Sequence, residues 1–218
     1  MIRVLAATLA CVWLVPAGAG AQTPPADPAP VQQQPSSALR RSATFLLGAA
    51  AGLGVHEAGH ATFAAAFDAN PRVARTTGSV FKFFAIRHEP VSRGREYVIS
   101  AAGFWFQQAA SEAILTTHPR LRDEPRPFMK GMVFFHLGTS AIYSVAAFAN
   151  IGPAERDTRG MAESLGADGV PEPAIGALIL APAVLDAYRY WKPGSKWAPW
   201  AARAAKITGV ILAFGAGR

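Results

Sequence analysis

The residues best suited to chemistry in this chain are His56-Glu57-Ala58-Gly59-His60. Two histidines four apart project from the same side of a helix, one turn from each other, so both imidazoles can reach a single ion. Nitrogen ligands of this kind suit Zn²⁺, at about 2.0–2.1 Å. Glu57, between them, is a base able to take a proton from a water while the ion polarises a carbonyl. A zinc ion used in catalysis commonly has three protein ligands and an open position, so a third ligand must come from elsewhere. His136, Asp157, Asp168 and Asp186 are the candidates. The plainer alternative is a buried hydrogen-bond cluster without metal. Three ionisable groups inside an apolar stretch are expensive to keep, however, and such groups usually mark function.

The stretch around these residues, Ala43 to Phe67, is 25 residues long with Glu57 as its only charge, enough to cross a bilayer. Further apolar runs follow at Tyr97–Thr117, Gly131–Ile151 and Pro173–Tyr188, and a last one, Trp197–Gly217, carries Arg203 and Lys206 and either spans or lies in the interface. Of the 218 residues 51% are hydrophobic and 16% charged, with a mean hydropathy of +0.19, which excludes a disordered chain. The net charge of +7 is scattered between apolar runs rather than gathered on one stripe, which argues for membrane-flanking loops and against a nucleic-acid partner. The expected fold is therefore an all-α membrane protein, a bundle of about four transmembrane helices over residues 38–218. Between the first two runs, Arg72–Glu89 is rich in Val, Thr, Phe and Ile. Val80, Phe81, Phe83, Phe84 and Ile86 favour a short membrane-edge strand pair over the competing surface helix.

Residues 1–21 carry Arg3, an apolar core and Ala19-Gly20-Ala21, the pattern of a secretory signal peptide, and they contain the chain's single cysteine, Cys11. Residues 22–37, rich in Pro, Gln and Ala, are expected to be an extracytoplasmic tether. A signal of this kind keeps its basic end in the cytoplasm. The expected location is thus multi-pass in a cell membrane, the bacterial inner membrane, with the mature N-terminus outside the cytoplasm. The loop from Asp68 to Glu96, with Arg72, Arg75, Lys82, Arg87, Arg93 and Arg95, then faces the cytoplasm, as the positive-inside tendency expects. Arg40, Arg41 and the outer loop with Arg120, Arg122, Arg126 and Lys130 run against it.

Alternation of spans also ranks the third ligand. His56 and His60 lie in the second half of the first span, toward Asp68. Three alternating spans return the chain to that side near Ile151, just before Asp157. Asp186, 13 residues into the fourth span, lies roughly 20 Å from that side at 1.5 Å per residue, and His136 lies near the opposite side. Asp157 ranks first. Asp186 takes its place if the fourth span is tilted, broken at Pro182 or re-entrant.

These residues resemble the site-2 protease family of intramembrane zinc metalloproteases. His56-Glu57-Ala58-Gly59-His60 matches the family's zinc helix, and Asn150-Ile151-Gly152-Pro153 followed by Asp157 is similar to its Asn-x-x-Pro segment leading to a ligand aspartate. Where the family has Leu-Asp-Gly this chain has Arg156-Asp157-Thr158, and Val184-Leu185-Asp186-Ala187 is a second possible match. Ser100 to Gln107 is similar to the family's Ala-Gly-Pro-x-x-Asn segment, with Phe104 and Gln107 replacing the proline and asparagine. The resemblance implies Glu57 as catalytic base, His56, His60 and Asp157 as zinc ligands, and Gln107 as a substrate-binding amide. An interhelical hydrogen bond accounts for Gln107 equally well. It further implies a metalloendopeptidase cutting in or near transmembrane segments of membrane protein substrates, which pair with the edge strand. The alternatives are a non-catalytic zinc-binding membrane protein and an inactive relative that only binds membrane segments.

Overall fold

The structure, a computed structural model, describes residues 38–75, 84–153, 155–166 and 170–215. The signal and tether expectations, Val80 to Phe83 and Asp168 lie outside the described residues. The remainder is mostly helical, with one short sheet: α1 (Ala38–Ala66), β1 (Arg72–Arg75), β2 (Phe84–Arg87), α2 (Arg93–Thr117), α3 (Pro127–Ala149), α4 (Asp157–Ser164), α5 (Glu172–Trp191) and α6 (Ala198–Gly215).

Local chemistry explains the boundaries. Alanine-rich α1 ends where Asp68 and Asn70 adopt left-handed φ values of 56° and 47°, followed at once by Pro71. The strand pair falls in the segment where the sequence expects it. It is antiparallel, with Val73 opposite Ile86 and Ala74 opposite Ala85. α3 opens on Pro127, where the missing N–H is no loss, and closes on Asn150 at a left-handed φ of 51°.

The long helices alternate in direction. His56 and His60 of α1 meet Gln107 and Ile99 of α2, and Gln107 in turn meets His136 and Ser140 of α3. Ser144 and Phe134 of α3 meet Gly176 and Tyr190 of α5. Tyr188 of α5 stacks on Trp197, just before α6. α1 and α3 consequently run parallel, as alternation requires. They touch backbone to backbone, because a methyl on Gly48 would collide with the Phe128 carbonyl and one on Gly131 with that of Phe45. The spacing of Gly48 and Gly52 thus serves close packing against α3.

Two apolar clusters sit toward opposite ends. One holds Phe63, Tyr97, Ile99, Phe104, Met161 and Ile175, and the other Leu115, Leu121, Val133 and Tyr190. Between them the interior is polar: His56, His60, Gln107, Ser111, His136, Ser140 and Asp186 are all buried. By length and composition α3 can cross a membrane, alone among helices of the described residues. α1 and α2 dilute their apolar residues with those same inward polar groups.

The α1–α3 contact yields a paired prediction. Gly131→Ala forces the Phe45 backbone away and should destabilise the fold by about 1–3 kcal/mol. Gly138→Ala, with nothing within 4 Å of the new methyl, should be neutral or slightly stabilising. Thermal unfolding followed by helical circular dichroism checks both, and equal midpoints for the two variants would contradict the contact.

Candidate metal centre

His56 and His60 lie on the buried side of α1, and each has its Nδ1 engaged. The Nδ1 of His60 is 2.7 Å from the Ile99 carbonyl oxygen, which can only accept, so the proton is on Nδ1. The Nδ1 of His56 donates to Gln107 Oε1 at 2.9 Å. The two Nε2 atoms therefore face inward, 3.1 Å apart, and in the neutral rings both carry their lone pairs there. Asp157 Oδ2 completes the group, 3.2 Å from His56 Nε2 and 3.5 Å from His60 Nε2. Three such atoms stay together only with a cation among them, either a metal ion or a proton that one imidazole shares with Asp157. Two ligands held at about 2.05 Å from one ion in tetrahedral geometry are about 3.3 Å apart, and the three observed separations bracket that value. The group His56–His60–Asp157 could hold a metal ion.

The surface beneath the triad is shaped for it. Gly103 of α2 faces the imidazoles, and a methyl there would come within 2.6 Å of His56 Nε2 and closer still to His60 Nε2. The Phe104 ring packs edge-on to His56 at 5.3 Å, and the Tyr143 phenol of α3 reaches Asp157. Glu57 leaves α1 beside the ligands, within electrostatic reach of all three, and its Oε2 accepts the Ile86 N–H of β2 at 3.2 Å.

Asp157 is placed by its neighbours in sequence. The Arg156 guanidinium forks onto both oxygens of Glu172, at 2.6 Å each, and also reaches Asn150 Oδ1 and the Pro153 carbonyl. Thr158 donates to the same Glu172 at 2.7 Å. The two residues flanking Asp157 thus grip the start of α5, and Asp157 itself turns toward α1. The chain's Arg-Asp-Thr is a clamp around the ligand. Burial alone would raise the Glu172 carboxyl, but Arg156 and Thr158 outweigh it and hold the group below its usual 4.5. For Asp157, too, burial works upward, and the two imidazoles hold it well below the usual carboxylate range.

The remaining candidates lie elsewhere. Asp186 is fully buried in α5, where it takes hydrogen bonds from Ser111, Arg189 and Lys206. His136 lies between Asp186 and Gln107. Gln107 stands behind the His56 ring with both ends of its amide engaged, by His56 on one side and by His136 and Ser140 on the other. The interhelical bond weighed for Gln107 is the contact it makes. His88 and His118 pair with Glu96 and Glu124 near the surface. Sequence reasoning missed Tyr143, Gly103 and the Arg156–Glu172 fork. Only Gly103 had a signal, its position in the segment resembling Ala-Gly-Pro.

Asp157→Asn should therefore remove any metal binding by the triad, whereas Glu172→Gln, which keeps Asp157 but loosens its clamp, should weaken that binding by about 10–100-fold. Glu172 also carries a pH signature. Its depressed carboxyl contributes stability that is full above about pH 4.5 and lost as pH falls through the folded value, so Glu172→Gln should show a shallower acid limb than wild type. Metal titration and melting curves across pH check these outcomes. Unchanged metal affinity in Glu172→Gln would remove the clamp from the account. Compared with known protein families, curated proteins and solved structures, the chain matches none of them.

Proposed function

We propose that this chain is a membrane-embedded zinc metalloendopeptidase of the site-2 protease kind, hydrolysing peptide bonds in or near transmembrane segments of other proteins. The observation that carries the proposal is the convergence of His56 Nε2, His60 Nε2 and Asp157 Oδ2 on one point, with the Glu57 carboxylate beside them. Zinc, when bound, supplies Lewis acidity to a peptide carbonyl and makes a water more acidic. The protein's own groups do the rest. His56, His60 and Asp157 hold the ion, Gln107 and the Ile99 carbonyl fix the two imidazoles, and Glu57 takes a proton from the attacking water and returns it to the leaving amine. A binding site alone would have no use for that base.

The distribution of polarity supports the membrane location. Ionisable and amide side chains fill the interior, while large apolar residues face outward: Leu46 on α1, Ile142 on α3, Val184 on α5 and Ile207 on α6 are each more than half exposed. Such an arrangement suits a solvent of hydrocarbon, and it favours a multi-pass bundle in which α1, α2 and α5 cross beside α3. The strand pair supports a route for substrate. The Ile86 N–H points away from β1 toward Glu57, so the unpaired edge of β2 borders the site, and an extended peptide added there would run beside the base.

Purified protein should carry one zinc per chain, and Glu57→Gln should keep that zinc while cutting a panel of membrane-anchored reporters in proteoliposomes at least about 100-fold more slowly. Loss of the metal in Glu57→Gln would make Glu57 a ligand, and equal cleavage by the two proteins would end the protease proposal. For topology, reporter fusions at Gln34 and Arg87 should mark opposite sides of the membrane, Gln34 outside the cytoplasm. Both on one side would remove the first span.

A further inference from the structure

Behind His56 a line of side chains crosses the bundle from α1 to α5. The Gln107 carbonyl accepts from His56 Nδ1, and its amide NH₂ lies 3.2 Å from both His136 Nδ1 and Ser140 Oγ. On the far side of the His136 ring, Nε2 lies 3.4 Å from Asp186 Oδ2, close enough for charge to act but without the geometry of a hydrogen bond, and it has no hydrogen-bond partner among the described residues. Gln107, His136, Ser140 and Asp186 are all buried.

Donor and acceptor roles along this line are not independent. Asp186 can only accept, so the proton of neutral His136 belongs on Nε2 and the bare Nδ1 faces Gln107. That bare nitrogen and the Ser140 hydroxyl call for the NH₂ end of the amide, which turns its oxygen toward His56. The oxygen in turn requires the His56 proton on Nδ1, leaving Nε2 bare for a metal. Reversing the His136 ring favours reversal of the links after it, with Ser140 Oγ, 3.5 Å from His136 Nδ1, the one other group placed to take that proton among the described contacts. With no carboxylate at 186, His136 is free to carry its proton on Nδ1, the amide then turns its NH₂ to His56, and His56 takes up the tautomer whose Nε2 cannot bind a cation. The carboxylate also polarises the line in the sense that enriches His56 Nε2 in electron density.

We infer that Asp186 is a positioning residue for the metal centre, acting through His136 and Gln107 to fix the metal-binding tautomer of His56. The inference rests on the proposal that the triad holds a metal, and it assigns the distant carboxylate a role besides balancing Arg189 and Lys206.

A double-mutant cycle on Zn²⁺ affinity tests it, read by competition with a chromophoric chelator. Asp186→Asn is expected to weaken Zn²⁺ binding about tenfold in the otherwise wild-type protein. In a Gln107→Leu background, where the line is already cut, the same change should have less than about a twofold effect. Nitrogen-15 NMR of the histidines in metal-free protein should show His56 protonated on Nδ1 in wild type and as a mixture of tautomers in Asp186→Asn. Should loss of a charge beside Lys206 prevent folding, His136→Phe, which keeps the ring's bulk and removes both nitrogens, provides the same cycle. Unchanged affinity in the single variant, or the same loss in both backgrounds, would overturn the inference. Wild-type protein that binds no Zn²⁺ would instead overturn the metal centre itself, a result distinct from metal-binding variants that fail to couple.

Discussion

Three acceptor atoms aimed at one another are unfavourable unless a cation lies among them, and much of this structure serves to hold them that way. The Ile99 carbonyl cannot donate, so it fixes one imidazole, and Gln107 fixes the other. Asp157 arrives from the opposite side on a loop clamped to α5. Gly103 leaves the space the rings occupy, since any side chain there would push them apart. Each of these choices removes an alternative that would let the acceptors relax: a ring flip, a swung loop, a filled cavity. A metal ion fits the place these restrictions keep, and without one a proton on an imidazole joins the ring to Asp157.

The His56–His60 pair was legible because helix periodicity alone places the two together, and the pattern is local. Asp157 was legible at one remove, since alternation of apolar runs says which end of the third helix returns to the site, and α1 and α3 do run parallel. The strand pair followed from β-branched and aromatic residues around a loop. What could not be read depends on pairings between distant positions. Nothing in the sequence links Arg156 to Glu172, or Glu112 to Arg189, Arg203 and Lys206, because any of several charges could have met. Gln107 shows the limit of resemblance. Its place in the motif suggested a group facing substrate, while its contacts are with His56, His136 and Ser140. A side chain's residue type and helix position fix where it starts, and only its neighbours fix which way an amide turns.

The Arg156 clamp gives a physical reason of its own to the Arg-Asp-Thr found where the resemblance would have Leu-Asp-Gly. A glycine after the ligand aspartate would leave the loop to be held by backbone alone. Here the flanking Arg156 and Thr158 converge on one carboxylate, and Asn150, which ends α3 in a left-handed turn, accepts from the same guanidinium. One fork of hydrogen bonds therefore joins the end of α3, the start of α4 and the start of α5. Removing Glu172 leaves Arg156 with the Asn150 and Pro153 oxygens but frees the start of α5 from the other two elements.

A second group of charges, around Glu112 and Asp186, shows why the last helix belongs to the bundle. Arg203 and Lys206 of α6 both reach Glu112 of α2, and Lys206 also reaches Asp186 of α5. Sequence alone left α6 either spanning or lying along the interface, and a surface helix would turn its two cations toward headgroups. Instead they point inward, with Ile207 and Ile211 exposed on the outside. Without α6, Asp186 would keep Arg189 but lose the ammonium that neutralises the remaining negative charge beside Glu112. The helix that closes the bundle is therefore held by the same carboxylate that faces His136. If Asp186 sets the proton on His136, the packing of α6 and the state of His56 share one residue, and a disturbance in α6 reaches His56 through His136 and Gln107.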